Sequence, residues 1–202
     1  MYGLPQATIL NRPLYKKAVF EKFNLKTAER ERFDADISRM ALVARISPAT
    51  VPALAEGREI KGFYVMQVAL KRKDYDTKNI LMLQKLIPQK MVFAMQHEEQ
   101  TQFCIFHTRL QQSAWMPTDE AAIPLQGLSL DDVWNNIVAI IGGLDAQAEE
   151  TIEEQIIHRE QRDKLLRQIE SLEKLCRTEK QTRKKYELHQ QIIKLKEGLK
   201  NV

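Results

Sequence analysis

The chain of 202 residues has only two cysteines and seven glycines. Cys104 and Cys176 stand far apart, so the sequence implies no disulfide framework and fits a reducing, cytoplasmic location. The glycines are scattered and form no phosphate-binding loop. The motifs of a nucleophile elbow, a zinc-protease helix and paired C-x-x-C ligands are missing too. These absences speak against P-loop ATPases, α/β-hydrolases and zinc-finger modules.

Long apolar runs are also lacking. None approaches the ~20 residues that cross a bilayer. The longest candidate, Ile137–Leu144, follows two acids and two asparagines. The N-terminal segment places its lysines after its apolar residues, the reverse of a secretory signal. We therefore expect neither a membrane segment nor a secretion signal.

Aromatic residues make up only 7% of the chain. A platform for unpaired bases needs aromatic side chains and cations together on one exposed face. Phe103 and Phe106 have opposite parity on one predicted strand and make a poor platform. Cys104 and His107 have opposite parity too, and with His97 they supply too few ligands for a metal. We therefore predict no metal site and no cofactor.

What the sequence does contain is typical of a folded protein. Hydrophobic residues make up 44% and charged residues 29%, enough for a core and a solvated surface. The length suits one domain with an appendage, or two small domains. The net charge of +4 permits a nucleic-acid partner without demanding one.

The N-terminal third predicts helices. A surface arm broken by Pro5 and Pro13 leads into Leu14–Ile46, which predicts one helix, or two joined near Asn24. Apolar residues recur there at helical spacing: Phe33, Ile37, Met40, Ala41 and Ala44.

The segment from Ile60 to Met116 predicts a small mixed sheet. Apolar residues of both parities at Phe63–Leu70 indicate a buried strand, and a helix follows from near Asp76 to Pro88. KMVFAMQ and TQFCIFHTRL then predict two strands joined by a turn, with a further short strand at SAWM. The order β-α-β-β implies a parallel pair followed by a hairpin. The expected class is α+β, a mixed α/β fold.

One more helix closes this domain. Ser129 is the expected N-cap, and Asp131 and Asp132 favour the positive end of the helix dipole. The glycine pair at 142–143 ends the helix and marks a boundary. We predict a globular domain at 1–144 and a helical appendage at 145–202.

The appendage carries two apolar stripes that are out of phase. The first is Leu165, Ile169, Leu172 and Cys176; the second is Leu188, Ile192, Leu195 and Leu199. Two residues of displacement rotate one stripe by about 200° relative to the other on a straight helix. A turn near 178–184 would let them face each other, so we predict a helical hairpin or coiled coil.

Charge divides the appendage as well. Residues 149–176 hold 5 basic and 8 acidic side chains, and residues 177–202 hold 8 and 3. Helices of opposite sign attract, so the basic run is neutralised within the hairpin on the simplest interpretation. Alternatively, a basic tip contacts nucleic-acid phosphates through Arg177, Lys180, Arg183, Lys184 and Lys185. A third alternative is a coiled coil with a partner through Leu188, Ile192, Leu195 and Leu199.

Carboxylates flank the first buried strand, which raises the alternative of a Mg²⁺-dependent nuclease. Such a site needs converging acids and usually a nearby lysine. The candidates are Glu56, Glu59, Asp74 and Asp76, with Lys71 and Lys73. A buried strand with solvated charged ends explains the same pattern more simply.

Several segments together resemble a bacterial family, domain of unknown function 4391. They are KLIPQKMVFAM, IPLQGLSLDDVW and EKQTRKKYELHQQIIKLKEGL, and the resemblance covers nearly the whole chain. It implies gene neighbourhoods with helicases and DNA methyltransferases of restriction or phage-defence type. It transfers no catalytic residues. Gln67 and Ala69 stand where the family pattern has an acid in the strand, which weakens the nuclease alternative.

The favoured hypothesis is therefore a non-enzymatic accessory or adaptor subunit of a bacterial nucleic-acid-processing or anti-phage complex. Its expected partners are a helicase-class or methyltransferase-class protein and DNA or RNA at the hairpin tip. The alternatives are a nuclease, active or degenerate, and a structural homo-oligomer built through the coiled coil.

Overall fold

The computed structural model describes residues 1–199. The chain divides into two compact units, Met1–Ala148 and Glu149–Val202. The mixed α/β class predicted from the sequence is confirmed. Within residues 1–199, no helix is both long enough and apolar enough to span a bilayer.

The first unit is built on one mixed sheet of seven strands. In chain order they are β1 (Ile9–Leu14), β2 (Ile37–Ile46), β3 (Phe63–Leu70), β4 (Met91–His97), β5 (Gln100–His107), β6 (Arg109–Gln112) and β7 (Met116–Pro117). The spatial order is β1-β2-β3-β4-β5-β6, and β7 also pairs with β5. Only β3 and β4 are parallel; every other pair is antiparallel.

Four helices cover this sheet: α1 (Lys16–Lys22), α2 (Thr27–Asp36), α3 (Lys78–Leu86) and α4 (Leu130–Gly142). Three of them, α1 to α3, contribute Val19, Phe33 and Leu83 to a core shared with one sheet face, which we call the α3 face. On the opposite face Trp134 of α4 packs edge-on against Phe63, with ring centroids 5.5 Å apart. Each such buried side chain contributes about 1.5–3 kcal/mol.

The prediction of helix through Ile46 is wrong beyond Asp36. The chain there is strand β2, which pairs with β1 and β3. Two irregularities in its pairing with β3, between Ile37 and Arg39 and between Leu42 and Ala44, disturb the alternation of a regular strand. The buried residues therefore recur at about three-residue steps and imitate a helix. The predicted joint is correct, since α1 ends before Asn24, whose φ is 47°.

Three other strands, β1, β6 and β7, were missed or misplaced. The expected surface arm contains β1, an edge strand, where Pro13 is tolerated. The expected single strand TQFCIFHTRL turns back at Thr108, at a φ of 56°, and becomes β5 and β6. The segment SAWM contributes only Met116 to a strand.

The start of α4 is as predicted. Ser129 Oγ accepts a hydrogen bond from the backbone N–H of Asp132 at 3.2 Å. The helix ends at Gly143, whose φ of 60° is the left-handed conformation that glycine adopts without strain.

The described part of the second unit consists of α5 (Ile152–Thr178) and α6 (Thr182–Leu199), joined by residues 179–181. The two helices pack against each other. Ile169 of α5 and Ile192 of α6 are buried, at 6% and 5% exposed. Glu173 and Lys196 form an ion pair between the helices at 2.8 Å. We call this pair of helices the hairpin.

Candidate nucleic-acid interface

The five predicted phosphate-binding cations lie together at the end of the hairpin where α5 passes into α6. One is in the last turn of α5, one in the connection, and three in the first turn of α6. All are exposed: Arg177, Lys180, Arg183, Lys184 and Lys185. We call this set the basic tip.

Direct pairing neutralises little of the basic tip. Arg183 Nε lies 3.3 Å from Glu187 Oε1, but the arginine side chain is 93% exposed. Among residues 1–199, no carboxylate lies within the 4.0 Å ion-pair limit of Lys180, Lys184 or Lys185. An exposed ion pair such as Arg183 with Glu187 contributes less than about 1 kcal/mol to stability. The tip therefore keeps most of its positive potential.

Glu179 lies in the connection between α5 and α6, and its carboxylate stabilises that connection. Its Oε1 accepts the backbone N–H of Gln181 at 2.8 Å. That hydrogen bond is the main reason that its pKa is lowered, and the charge of Lys184 contributes less. Glu179 therefore stabilises the turn that presents the lysines.

The position of the cations on α6 works against helix stability. The amino end of a helix carries a partial positive charge, and a cation in the first turn costs about 0.3–1 kcal/mol. The first turn of α6 holds Arg183, Lys184 and Lys185, and no acid. Three cations are thus held where the helix itself disfavours them.

The apolar residues predicted to bind a partner lie against α5 instead of at the surface. Ile192 is buried, and Leu188, Leu195 and Leu199 are partly buried. A partner does not reach them while the hairpin is closed. The larger apolar side chains that are exposed on these helices are Ile157, Leu166, Leu175, Tyr186 and Ile193.

Residues 2–199 match a family described as Domain of unknown function (DUF4391). The chain belongs to this family. The resemblance drawn from the sequence is thereby confirmed. Neither a curated protein nor a solved structure matches the chain. The family description names no activity, so the helicase and methyltransferase neighbourhoods remain an expectation.

In this DUF4391 chain, the acids of the nuclease alternative do not come together. Glu56 and Glu59 precede β3, whereas Asp74 and Asp76 follow it. The eight residues of β3 separate the two pairs, a distance of about 26 Å at 3.3 Å per residue. Glu56 instead pairs with Lys61 at 3.5 Å.

The buried acid that the sequence did not reveal is Asp36, at the junction of α2 and β2. Its side chain is 1% exposed, and Arg72 lies 2.5 Å from its Oδ1. Its Oδ2 accepts from Asn79 Nδ2 at 2.8 Å and from the backbone N–H of Asp76 at 2.9 Å. These partners come from the segment between β3 and the first turns of α3, so Asp36 positions the start of that helix. No spacing in the sequence singles it out from the neighbouring acids.

Asp131 does more than complement the dipole of α4. Its carboxylate accepts backbone N–H groups of Arg58 at 2.6 Å and Ile60 at 2.8 Å. These bonds, the one from Ile60 first, lower the pKa of Asp131. A Cβ atom on Gly57 would lie 2.2 Å from Asp131 Oδ1. The carboxylate thus fixes the loop that leads into β3, and only glycine fits beside it.

Proposed function

We propose that this chain is a non-enzymatic accessory subunit of a bacterial nucleic-acid-processing or anti-phage complex. The basic tip contacts nucleic-acid phosphates, and the sides of the hairpin dock a helicase-class or methyltransferase-class partner as a coiled coil. One observation carries the first part: exposed lysines without carboxylate partners stand at the helix end that repels them. A phosphate would relieve that repulsion.

Phosphate binding by such a tip follows from counterion release. Each neutralised phosphate of duplex DNA contributes a slope of about −0.9 to the dependence of log affinity on log salt. If all five tip cations engage, the slope is roughly −4 to −5. The contact carries no sequence information, because phosphates are the same at every base pair. The chain would thus add affinity to a complex whose specificity lies elsewhere.

The proposed partner contact is supported by the exposed apolar side chains of the hairpin. Leu166 and Leu175 are 43% and 54% exposed on α5, and Tyr186 is 65% exposed on α6. Exposed apolar residues on a charged helix suit a helical partner. The family resemblance supplies the class of that partner, and a second copy of the chain is the competing occupant.

Fluorescence anisotropy of labelled duplex DNA and of RNA across a salt series tests the tip. The variant changes Arg183, Lys184 and Lys185 to Glu in the intact chain. The matched control changes three other exposed hairpin cations to Glu: Lys164, Arg167 and Lys194. Both variants alter the net charge by the same amount.

We expect tight binding at low salt, and in the tip variant a loss of affinity with a slope shallower by about 3. The control should lose much less. If the two variants lose the same affinity for nucleic acid, the effect comes from net charge alone, and binding at the basic tip is refuted. Light scattering with and without the candidate partner distinguishes a heteromeric hairpin contact from a homo-oligomer.

A further inference from the structure

Four strands of the first unit place one side chain each in a single row on the α3 face. Arg45 of β2 pairs with Tyr64 of β3, and Tyr64 pairs with Met91 of β4. Because Val92 pairs with Ile105, Met91 stands beside Phe106 of β5. The row therefore brings an arginine, a tyrosine and a phenylalanine to one level of the sheet.

Three residues of this row, Arg45, Tyr64 and Phe106, line a groove of about 470 Å³, which we call the Tyr64 groove, while Met91 is buried beneath it. Phe106 is 38% exposed and Tyr64 is half-buried, so both rings reach its surface. The guanidinium of Arg45 lies over the Tyr64 ring, 5.8 Å from its centroid. The other polar residues of its lining are Glu59, Lys61, Gln84, Gln89 and Lys90.

The cation of the groove that lies beside its aromatic rings is Arg45, whose guanidinium lies over Tyr64. Lys61 also lines the groove, but its Nζ pairs with Glu56 at 3.5 Å and donates to the Gly57 carbonyl at 2.9 Å. The ammonium of Lys90 lies over the Trp134 ring at 5.4 Å, on the opposite face of the sheet. The groove thus presents two aromatic side chains with one arginine beside them, and one acid, Glu59, in its lining.

We propose that the Tyr64 groove binds an unpaired nucleotide of a single-stranded nucleic acid. The rings of Tyr64 and Phe106 stack on bases, and Arg45 balances a phosphate. The parity of Phe103 and Phe106 had argued against a platform on one strand. The platform instead combines residues of different strands, while Phe103 packs against Tyr2 on the other face. This proposal does not rest on the basic tip, which belongs to the other unit.

The test uses the intact chain with Arg183, Lys184 and Lys185 changed to Glu, so that any tip contact is removed. The probe is a single-stranded oligonucleotide carrying 2-aminopurine, whose fluorescence is quenched when the base stacks. A second probe has the same length and backbone but abasic sites. Phe106→Ala removes the exposed ring, Phe106→Tyr keeps it, and Arg45→Gln removes the cation. The control, Tyr15→Ala, removes an aromatic side chain that is 74% exposed on another surface.

Phe106→Ala should weaken binding by about 5- to 150-fold and abolish quenching. Phe106→Tyr and Tyr15→Ala should preserve both the affinity and the quenching. Arg45→Gln should weaken binding. The strand with abasic sites should bind poorly to the chain. Equal affinity for the abasic strand, or quenching unchanged by Phe106→Ala, would overturn the proposal. So would displacement of the strand by an equal concentration of a free mononucleotide, which would assign the groove to free nucleotides. Binding by the basic tip is measured separately, in the chain that keeps Arg183, Lys184 and Lys185. The proposal for the tip and the proposal for the groove can therefore fail independently.

Discussion

Replacing Lys184 and Lys185 by Gln should stabilise the start of α6 while it weakens nucleic-acid binding. Both side chains lie in the first turn, where each cation costs about 0.3–1 kcal/mol. Their removal therefore gains about 0.6–2 kcal/mol in local stability. Lys and Gln have nearly equal helix propensity, so the change isolates the electrostatic effect.

Amide hydrogen exchange measures this local stability in the intact chain, where the two units need not unfold together. The gain corresponds to exchange that is slower by about 3- to 30-fold at Tyr186, Glu187 and Leu188. The difference should shrink at high salt, because exposed charges are then screened. Lys194→Gln, on the same helix but far from its amino end, is the control and should slow nothing. Unchanged or faster exchange in the double variant, or slowing in the control, would refute the dipole argument.

Three further predictions concern the first unit. Asp36→Asn should lower the free energy of unfolding in urea by about 1–3 kcal/mol, because the donors of Arg72, Asp76 and Asn79 lose a charged acceptor; Asp74→Asn, at an exposed acid, should change it little. Gly57→Ala should destabilise by about 1–3 kcal/mol, and less in an Asp131→Ala background, as a double-mutant cycle would show. The pKa of Asp131 is lowered by folding, so its contribution to stability is present above the ordinary pKa of an aspartate and is lost as pH falls through the lower pKa of the folded state. Asp131→Asn should therefore flatten the acid limb of a thermal unfolding series.

The predictability of the fold differed between its segments for physical reasons. The start of α4 follows from Ser129 and the acids after it, because capping is decided within one turn. Strand β2 was mistaken for helix because its irregular pairing is decided by β1 and β3, which no local pattern contains. The same applies to β1, which is a strand only because a neighbouring strand pairs with it.

The candidate sites were predictable to different degrees. The basic tip could be found from the sequence because five cations lie within a stretch of nine residues. The displacement between the two apolar stripes also predicts a turn at that place. The Tyr64 groove could not, because Arg45, Tyr64 and Phe106 are brought together by strand register. Asp36 is likewise recognisable only once Arg72 and Asn79 surround it. Long-range pairing, not residue type, marks these positions.

The helix starts of this chain argue that the basic tip is not an accident of composition. Helices α4 and α5 each begin with a capping box, Ser129 with Asp132 and Thr151 with Glu154, and each has two acids in the first turn. Helix α6 has three cations and no acid at the same position. Helices α1 and α3 also begin without an acid, but with two lysines and one lysine in their first turns, so α6 carries the largest excess of cations at its start. Such local violations concentrate where a protein binds something, and here the missing charge is negative.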